Sequence, residues 1–230
     1  MDRAEFQAIE GYMLQQMADM AHDAQHVYRV FYTALDIAGW ETEARRDIVA
    51  AAALLHDVGR AAQARDPALC HAQVGAEMAY RFLTRELGWD EGRAGHVRAC
   101  VLTHRFRSDR PPESLEAKIV FDADKLDVTG AMGIARTLLY AGQTDEPLYR
   151  LDGEGRVLVD ADSPSSFLQE YNFKLRGIAG GLYTRRAREL ARGRQKAADD
   201  FYGALLAEVT GSLERGRAAL DGLLRETGDF

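Results

Sequence analysis

DIVAAAALLHDVG, the sequence from Asp47 to Gly59, ends an apolar segment with two polar residues. Eight apolar residues in a row follow Asp47, which predicts a helix buried in a protein core. His56 and Asp57 stand at the buried end of that helix. A buried carboxylate without a partner is costly, and a divalent cation would be such a partner. The segment therefore predicts a helical fold with a pair of metal ligands at the end of one helix.

Helical character extends along the whole chain. Only five prolines occur in 230 residues, 47% of the residues are hydrophobic, and apolar residues recur at spacings of three and four. We expect an all-α, single-domain helical bundle over residues 1–230, with a metal-site core at about 22–130 and a C-terminal helical part at about 160–230. The pattern predicts helices at about 4–20, 22–38, 42–58, 70–87, 90–104, 113–141, 164–178 and 183–226.

One segment departs from the helical pattern. Two short apolar runs, Leu148-Tyr149-Arg150-Leu151 and Arg156-Val157-Leu158-Val159, flank the turn sequence Asp152-Gly153-Glu154-Gly155. Short apolar runs on both sides of such a turn are typical of a hairpin. We expect a small β-hairpin or flap near 148–159.

Charge and composition restrict the partners of the chain. The net charge of −7 argues against a nucleic-acid polymer as ligand. No secretory signal and no apolar run long enough for a membrane span occur, so we expect a cytoplasmic protein without a membrane partner. Cys70 and Cys100 are expected to be reduced thiols. The long terminal helices could pair two copies in a homodimer, but apolar periodicity does not distinguish a core from an interface.

Two further segments carry side chains that could join His56 and Asp57. His26 lies in HDAQHVYRV at 22–30, an amphipathic helix, and KIVFDADKLD at 118–127 interrupts an apolar helix with three carboxylates. Imidazoles mixed with carboxylates suit Mn²⁺, which we expect first, or Mg²⁺, Co²⁺, Ni²⁺ and Fe²⁺. Such an ion lowers the pKa of bound water and attracts phosphate oxygens, so hydrolysis of a phosphoester or phosphoanhydride is the expected chemistry.

Taken together, these motifs resemble those of the HD-domain phosphohydrolase superfamily: H-x-x-R-V at 26–30, H-D at 56–57 and D-A-D-K-L-D at 122–127. The similarity extends through 116–136 and into 167–194, and there it resembles a bacterial branch of small, stand-alone HD hydrolases. Members of that branch act as nucleotide phosphohydrolases or pyrophosphohydrolases. The resemblance implies an HD-type helical bundle and a metal-dependent phosphohydrolase whose small-molecule substrate is a nucleoside mono- or triphosphate.

The resemblance also assigns the metal ligands. It implies His26, His56, Asp57 and Asp124, with Asp122 as the alternative for the last position. We favour Asp124 because the last ligand of the superfamily stands in an A-D-x-L context, which here is Ala123-Asp124-Lys125-Leu126. His22 lies one turn before His26 and is expected to help to position His26, not to bind the ion itself.

Further residues could complete the site. Two-metal members of the superfamily use additional histidines at roughly the places of His71 and His104, so a second ion is left open. Asp57, His104 and Lys118 are the candidate catalytic residues, and His104 is also a candidate to bind phosphate. Lys118, like Arg29, could instead hold a carboxylate of the metal site. Lys174 and Arg185 are the candidates to reach polyphosphate oxygens, whereas His96 is expected to be a structural histidine.

Other functions remain as alternatives. A non-catalytic nucleotide or metal sensor would use the same pocket without turnover, although the full ligand set argues against it. A dinuclear HD-type oxygenase is conceivable if His71 and His104 bind a second ion. An alarmone hydrolase is less expected because Arg60-Ala61 occupy the place of an acidic pair. A cyclic-dinucleotide phosphodiesterase should carry a G-Y-P motif, which is absent from the sequence.

Overall fold

The computed structural model describes residues 1–17, 24–105, 110–160 and 162–226. The described residues form α-helices and contain no strand, which confirms the all-α prediction. His22 and Asp23 lie outside them. The helices are α1 (Arg3–Met17), α2 (Ala24–Trp40), α3 (Arg46–Leu55), α4 (Arg60–Arg65), α5 (His71–Arg85), α6 (Glu91–Thr103), α7 (Leu115–Leu126), α8 (Gly130–Gln143), α9 (Phe167–Glu170) and α10 (Arg185–Glu226).

The chain divides into two compact units. The first comprises Met1–Asp127 and Leu182–Leu190, and the second comprises Val128–Gly181 and Ala191–Phe230. All of the motifs at 26–30, 56–57 and 122–127 belong to the first unit. The expectation of one domain over 1–230 stays a prediction.

Helix α3 is the central helix of the first unit. Every residue from Ile48 to Leu55 is buried, and the helix packs against α1, α2, α5, α6 and α7. A helix with neighbours on all sides cannot carry a polar face, which explains the unbroken apolar sequence. Its four alanines have small side chains, so the neighbouring helices can approach it closely. His56 and Asp57 follow directly and are therefore buried at the centre of the unit.

A contact between two glycines brings α4 and α5 together. A Cβ atom on Gly59 would lie 2.1 Å from the carbonyl oxygen of His71 and 2.6 Å from the backbone nitrogen of Gly75. Only a residue without a side chain fits there. The contact places the first turn of α5, with His71, beside Asp57. Helix α4 was not predicted, because its six residues lie between the predicted helices at 42–58 and 70–87.

The predicted helix at 113–141 is wrong in one respect, since the structure divides it into α7 and α8. Helix α7 begins after Ser114, whose hydroxyl accepts a hydrogen bond from the backbone N–H of Ala117, and ends at Leu126. Helix α8 begins at Gly130, whose φ of 63° favours glycine. The apolar periodicity continues through 127–129 and hides the break.

The second unit contains the segment expected to form a hairpin. Leu151 and Val157 form an isolated antiparallel bridge, and the backbone N–H of Leu158 donates to the carbonyl of Arg150 at 2.8 Å. Gly155 takes the positive φ of 74° in the turn between them. The turn therefore forms as expected, with a single bridge in place of longer strands.

The core of the second unit lies around the segment predicted as a helix at 164–178. That segment comprises the short α-helix α9, a π-helical turn at Tyr171–Leu175 and a 3₁₀-helical turn at Ile178–Gly181. Its buried residues pack with residues of α8 and α10: Ile134, Phe167, Leu168, Tyr171, Leu175, Ile178 and Ala198.

Two expectations about the chain as a whole can be compared with the structure. Both Cys70 and Cys100 are free cysteines, as expected. Among the residues that the structure describes, none of the helices combines the length and the hydropathy that crossing a bilayer requires.

Candidate metal centre

Three helices of the first unit bring four predicted ligands together. His26 comes from α2, His56 and Asp57 follow α3, and Asp124 lies in the last turn of α7. The Nε2 atom of His26 is 3.4 Å from Nε2 of His56, 3.6 Å from Oδ2 of Asp57 and 3.5 Å from Oδ1 of Asp124. The Nε2 atom of His56 is 3.5 Å from the same Oδ2 of Asp57.

A second group of donors meets the other oxygen of Asp57. The Nε2 atoms of His71 and His104 are each 3.6 Å from Oδ1 of Asp57 and are 3.3 Å from one another. All three side chains are buried. The structure thus contains two triads that share one carboxylate: the first triad is His26, His56 and Asp57, and the second triad is Asp57, His71 and His104.

The spacing within each triad fits a divalent cation. Three atoms about 3.5 Å apart form a triangle whose centre lies about 2.0 Å from each of them, which is a metal to nitrogen or oxygen bond length. Carboxylate oxygens and imidazole nitrogens are also the donors that such ions use. The side chains of both triads therefore fit a metal ion by their chemistry and by their spacing.

Hydrogen bonds fix the tautomer of all four histidines. The Nδ1 atoms of His56 and His104 donate to the carbonyl oxygens of Ala53 and Val101, at 2.8 and 2.6 Å. Nδ1 of His71 donates to Oε1 of Gln63 at 2.7 Å, and Nδ1 of His26 faces Oδ2 of Asp127 at 2.7 Å. A neutral imidazole with its proton on Nδ1 presents a lone pair on Nε2. In their neutral forms, His56, His71 and His104 thus direct an Nε2 lone pair at the triads, as at metal sites.

The electrostatics of the cluster favour the ligand forms of these groups. Burial lowers the pKa of His56 to about 4 and, together with the charge of Arg60, holds the pKa of His71 far below its ordinary value. Burial opposes ionisation of Asp57, but the nearby His56 and Arg60 keep its pKa well below the usual range.

His26 differs from these two histidines. Burial lowers its pKa, yet hydrogen bonds to Asp124 and Asp127 outweigh burial and raise the pKa to about 8. The pKa of Asp124 is held well below its ordinary value against the effect of burial, chiefly by Lys125 and His26. Excess negative charge around His26 therefore makes the first triad attractive to a cation.

Comparisons with known proteins identify the family of the chain. A family model described as the HD domain matches residues 23–129. YpgQ of Bacillus subtilis is 30% identical over 191 residues, which are 83% of this chain and 85% of that protein. The chain belongs to the HD-domain family. Its buried His and Asp cluster and its relatives support a metal-dependent hydrolase.

Solved structures of other family members have the same fold. The crystal structure of Bacillus subtilis YpgQ in complex with ADP is similar at a TM-score of 0.69, with 27% identity over 89% of this chain and 95% of that one. An HD-superfamily hydrolase from Bacillus thuringiensis has a TM-score of 0.66, with 25% identity over 90% of this chain and 97% of that one.

The structure separates the two aspartates that were alternatives for the last ligand of the HD site. Oδ1 of Asp124 faces His26, and only 13% of the Asp124 side chain is exposed. Asp122 lies on another face of α7, where it accepts hydrogen bonds from the backbone N–H groups of Tyr183 and Thr184 and from the Thr184 hydroxyl. Asp122 therefore anchors the start of α10 and is engaged away from the cluster.

Asp127 connects the cluster to Arg29. Its Oδ2 accepts from Nδ1 of His26, while Nε and Nη2 of Arg29 donate to its two oxygens at 2.7 and 3.1 Å. Arg29 thus holds a carboxylate beside the metal site, which was one of the two roles considered for it. That carboxylate orients His26.

The remaining predicted residues contact side chains other than those of the two triads. Nζ of Lys118 is 6.0 Å from the centre of the Tyr183 ring. Arg185 is 89% exposed and pairs with Glu189 at 3.0 Å. Lys174 belongs to the second unit and pairs with Glu170. His96, expected to be structural, contacts Oε2 of Glu116 at 3.0 Å, outside both triads.

Three supporting residues escaped the sequence interpretation. Asp127 was noted only as one of three acids, although its spacing of three residues from Asp124 places both on one side of the C-terminal end of α7. Nε of Arg60 donates to Oδ1 of Asp57 at 2.9 Å, and Gln63 orients His71. The spacing of Arg60, three residues after Asp57, could have indicated the first contact, whereas the second depends on how α4 and α5 pack.

Proposed function

We propose that this protein is a metal-dependent phosphohydrolase that cleaves a phosphoester or phosphoanhydride bond of a nucleotide, either a nucleoside monophosphate or a nucleoside triphosphate. The observation that carries the proposal is the convergence of histidine Nε2 atoms on the ionised carboxylate of Asp57. The ADP in the crystal structure of the related YpgQ supports a nucleotide as ligand.

The metal ligands in this proposal are His26, His56, Asp57 and Asp124. Mn²⁺ is the ion that we propose, because it accepts mixed nitrogen and oxygen ligands. A bound divalent ion supplies Lewis-acid polarisation of a phosphoryl group and makes water acidic enough to act as a nucleophile near neutral pH.

Side chains of the protein take part in the proton transfers of the reaction. Hydrolysis adds water across a P–O bond, so one proton must leave the attacking water and one must reach the leaving oxygen. Nδ1 of His104 donates to the Val101 carbonyl, so Nε2 of the neutral ring is an acceptor, which takes up a proton and then delivers it to the leaving oxygen. The ionised carboxylate of Asp57, 3.6 Å from this Nε2, stabilises the protonated ring, while the proton of the attacking water is released to solvent. His104 performs this role only when its Nε2 does not bind an ion.

Phosphate contacts come from basic residues in this proposal. Lys118 lies on the helix that carries Asp124, and we assign it a contact to the reacting phosphoryl group. Arg185 is largely exposed and Lys174 is exposed, so each can leave its acidic neighbour for a polyphosphate oxygen. A cytoplasmic location and a homodimer complete the proposal.

A panel of nucleoside mono-, di- and triphosphates tests it, with each substrate offered with Mn²⁺, Mg²⁺, Co²⁺ or Ni²⁺. Chromatography identifies the products as phosphate or pyrophosphate. We expect Asp57→Asn to abolish turnover and the matched variant Asp36→Asn, an exposed aspartate paired with Arg186, to retain it. Absence of turnover across the panel with metal bound would favour the nucleotide sensor.

The second triad favours one other candidate function. A dinuclear oxygenase needs two adjacent ions, and Asp57 presents one oxygen to each triad. Iron-loaded protein would then consume oxygen with an organic substrate, whereas the phosphohydrolase consumes none. Oxygen-electrode traces of the iron-loaded and manganese-loaded protein distinguish the two functions.

A further inference from the structure

Arg60 lies beside the second triad and contacts its carboxylate. It is the first residue of α4, and its Nε donates to Oδ1 of Asp57 at 2.9 Å. The Arg60 side chain is 31% exposed, while Asp57 is buried. A partly exposed guanidinium therefore reaches inward to a buried carboxylate.

The oxygen that Arg60 contacts is the one that serves the second triad. Oδ1 of Asp57 is 3.6 Å from Nε2 of His71 and 3.6 Å from Nε2 of His104. A cation at this triad would share Oδ1 with the guanidinium and would be repelled by its charge.

The first triad is arranged differently. Asp124 also has a basic partner, but Nζ of Lys125 contacts its Oδ2 at 2.7 Å, whereas Oδ1 of Asp124 faces His26. The oxygen directed at the first triad is thus not the one that Lys125 contacts. The first triad also has two carboxylates nearby, Asp57 and Asp124, while the described ligand atoms of the second triad include one carboxylate oxygen.

We infer that Arg60 weakens binding of a divalent cation at the second triad, so that the two triads fill in order and the first triad fills at lower metal concentration. The inference rests on the metal centre in the proposed function. Arg60 is a positioning residue in this account, since it acts on the ion through Oδ1 of Asp57. It makes the number of bound ions depend on the free metal concentration.

Mn²⁺ titrations of metal-free protein test the inference, because the electron paramagnetic resonance signal of free Mn²⁺ counts bound ions without an activity assay. For the wild type we expect one tight site and a second site that is weaker by about tenfold or more. Arg60→Gln should strengthen the second site by about tenfold and change the first by less than about threefold. Arg60→Lys keeps the charge and should stay close to the wild type.

Two variants make the result specific. Arg65→Gln removes the same charge from an exposed position on the same helix and should leave both sites unchanged. His104→Gln should eliminate the weak site and retain the tight one, which assigns each site to its triad. Circular dichroism of Arg60→Gln and of Arg60→Met, which keeps the aliphatic stem, shows that the variants are folded.

The outcomes separate this inference from the proposed function. Equal affinity of the two wild-type sites, or an unchanged second site in both Arg60→Gln and Arg60→Met, overturns the role of Arg60 while the metal centre stands. If the wild type binds no Mn²⁺, both the metal centre and the inference are overturned.

Discussion

His26 and Asp127 form a buried pair in which Nδ1 of the histidine lies 2.7 Å from Oδ2 of the aspartate. The pair orients the opposite ring nitrogen towards His56, Asp57 and Asp124. Arg29 holds the aspartate from its other side. The contact explains how α2 and α7, which are far apart in the sequence, present His26 to the cluster in one orientation.

Replacing Asp127 by asparagine tests this orientation. The amide is similar in shape but carries no charge, so His26 becomes a poorer and less restrained ligand. We expect the affinity for Mn²⁺ to fall by about 10- to 100-fold, measured by calorimetric titration. Asp90→Asn, a change at the exposed cap of α6, is the control. An affinity within about threefold of the wild type would show that the pair has no role in metal binding.

Asp122 and Asp124 should have separable effects. Asp122→Ala leaves the backbone N–H groups of Tyr183 and Thr184 without their acceptor, so we expect a loss of about 2–4 kcal/mol of unfolding free energy. Asp124→Asn should change stability less and weaken metal binding strongly. Urea unfolding and a Mn²⁺ titration of each variant check both statements. Strong loss of metal affinity in folded Asp122→Ala protein would exchange the roles of the two residues.

The contact at Gly59 predicts a steric effect. Gly59→Ala forces a Cβ into the backbone of His71 and Gly75, so the free energy of unfolding should fall by about 1–3 kcal/mol or more. Gly95→Ala is the matched control in α6, where nothing lies within 4 Å of an added Cβ and alanine should stabilise the helix by up to about 1 kcal/mol. Thermal unfolding of both variants makes the comparison. Equal behaviour of the two variants would contradict the close approach of α4 and α5.

Bound metal should stabilise the folded protein. An ion that binds the folded chain alone adds about 2.7 kcal/mol at a free concentration one hundred times its dissociation constant. The melting temperature should therefore rise when Mn²⁺ is added to metal-free protein and fall again with a chelator. His26→Gln should lose most of this rise. A rise of the same size in His26→Gln would place the ion elsewhere.

Local sequence patterns were sufficient to predict those features of the fold and of the candidate site that depend on a single helix. The apolar run before His56 predicted a buried helix, and α3 is buried from Ile48 to Leu55. The A-D-x-L context favoured Asp124 over Asp122, and the two side chains face apart because successive residues on a helix turn by about 100°. His96 was expected to lie outside the site and does so. In each case a single helix carried the information.

Features that depend on contacts between helices were not predictable in this way. The division between α7 and α8 follows from the turn at Gly130, which the apolar periodicity does not reveal. The contact of Gln63 with His71 requires α4 and α5 to meet at Gly59 and Gly75. The sharing of Asp57 between two triads requires the C-terminal ends of α3 and α6 and the N-terminal end of α5 to lie near one another. These relationships arise from packing over long sequence separations.

Metal analysis of protein that has been loaded with Mn²⁺ and then dialysed against metal-free buffer, which removes an ion from the weaker second triad, tests the central claim most directly. We expect the wild type and His96→Gln to retain at least about one ion per chain, because His96 lies outside both triads, and His56→Gln to retain almost none. A wild type that retains no ion, or a folded His56→Gln variant that retains as much as the wild type, would contradict the account.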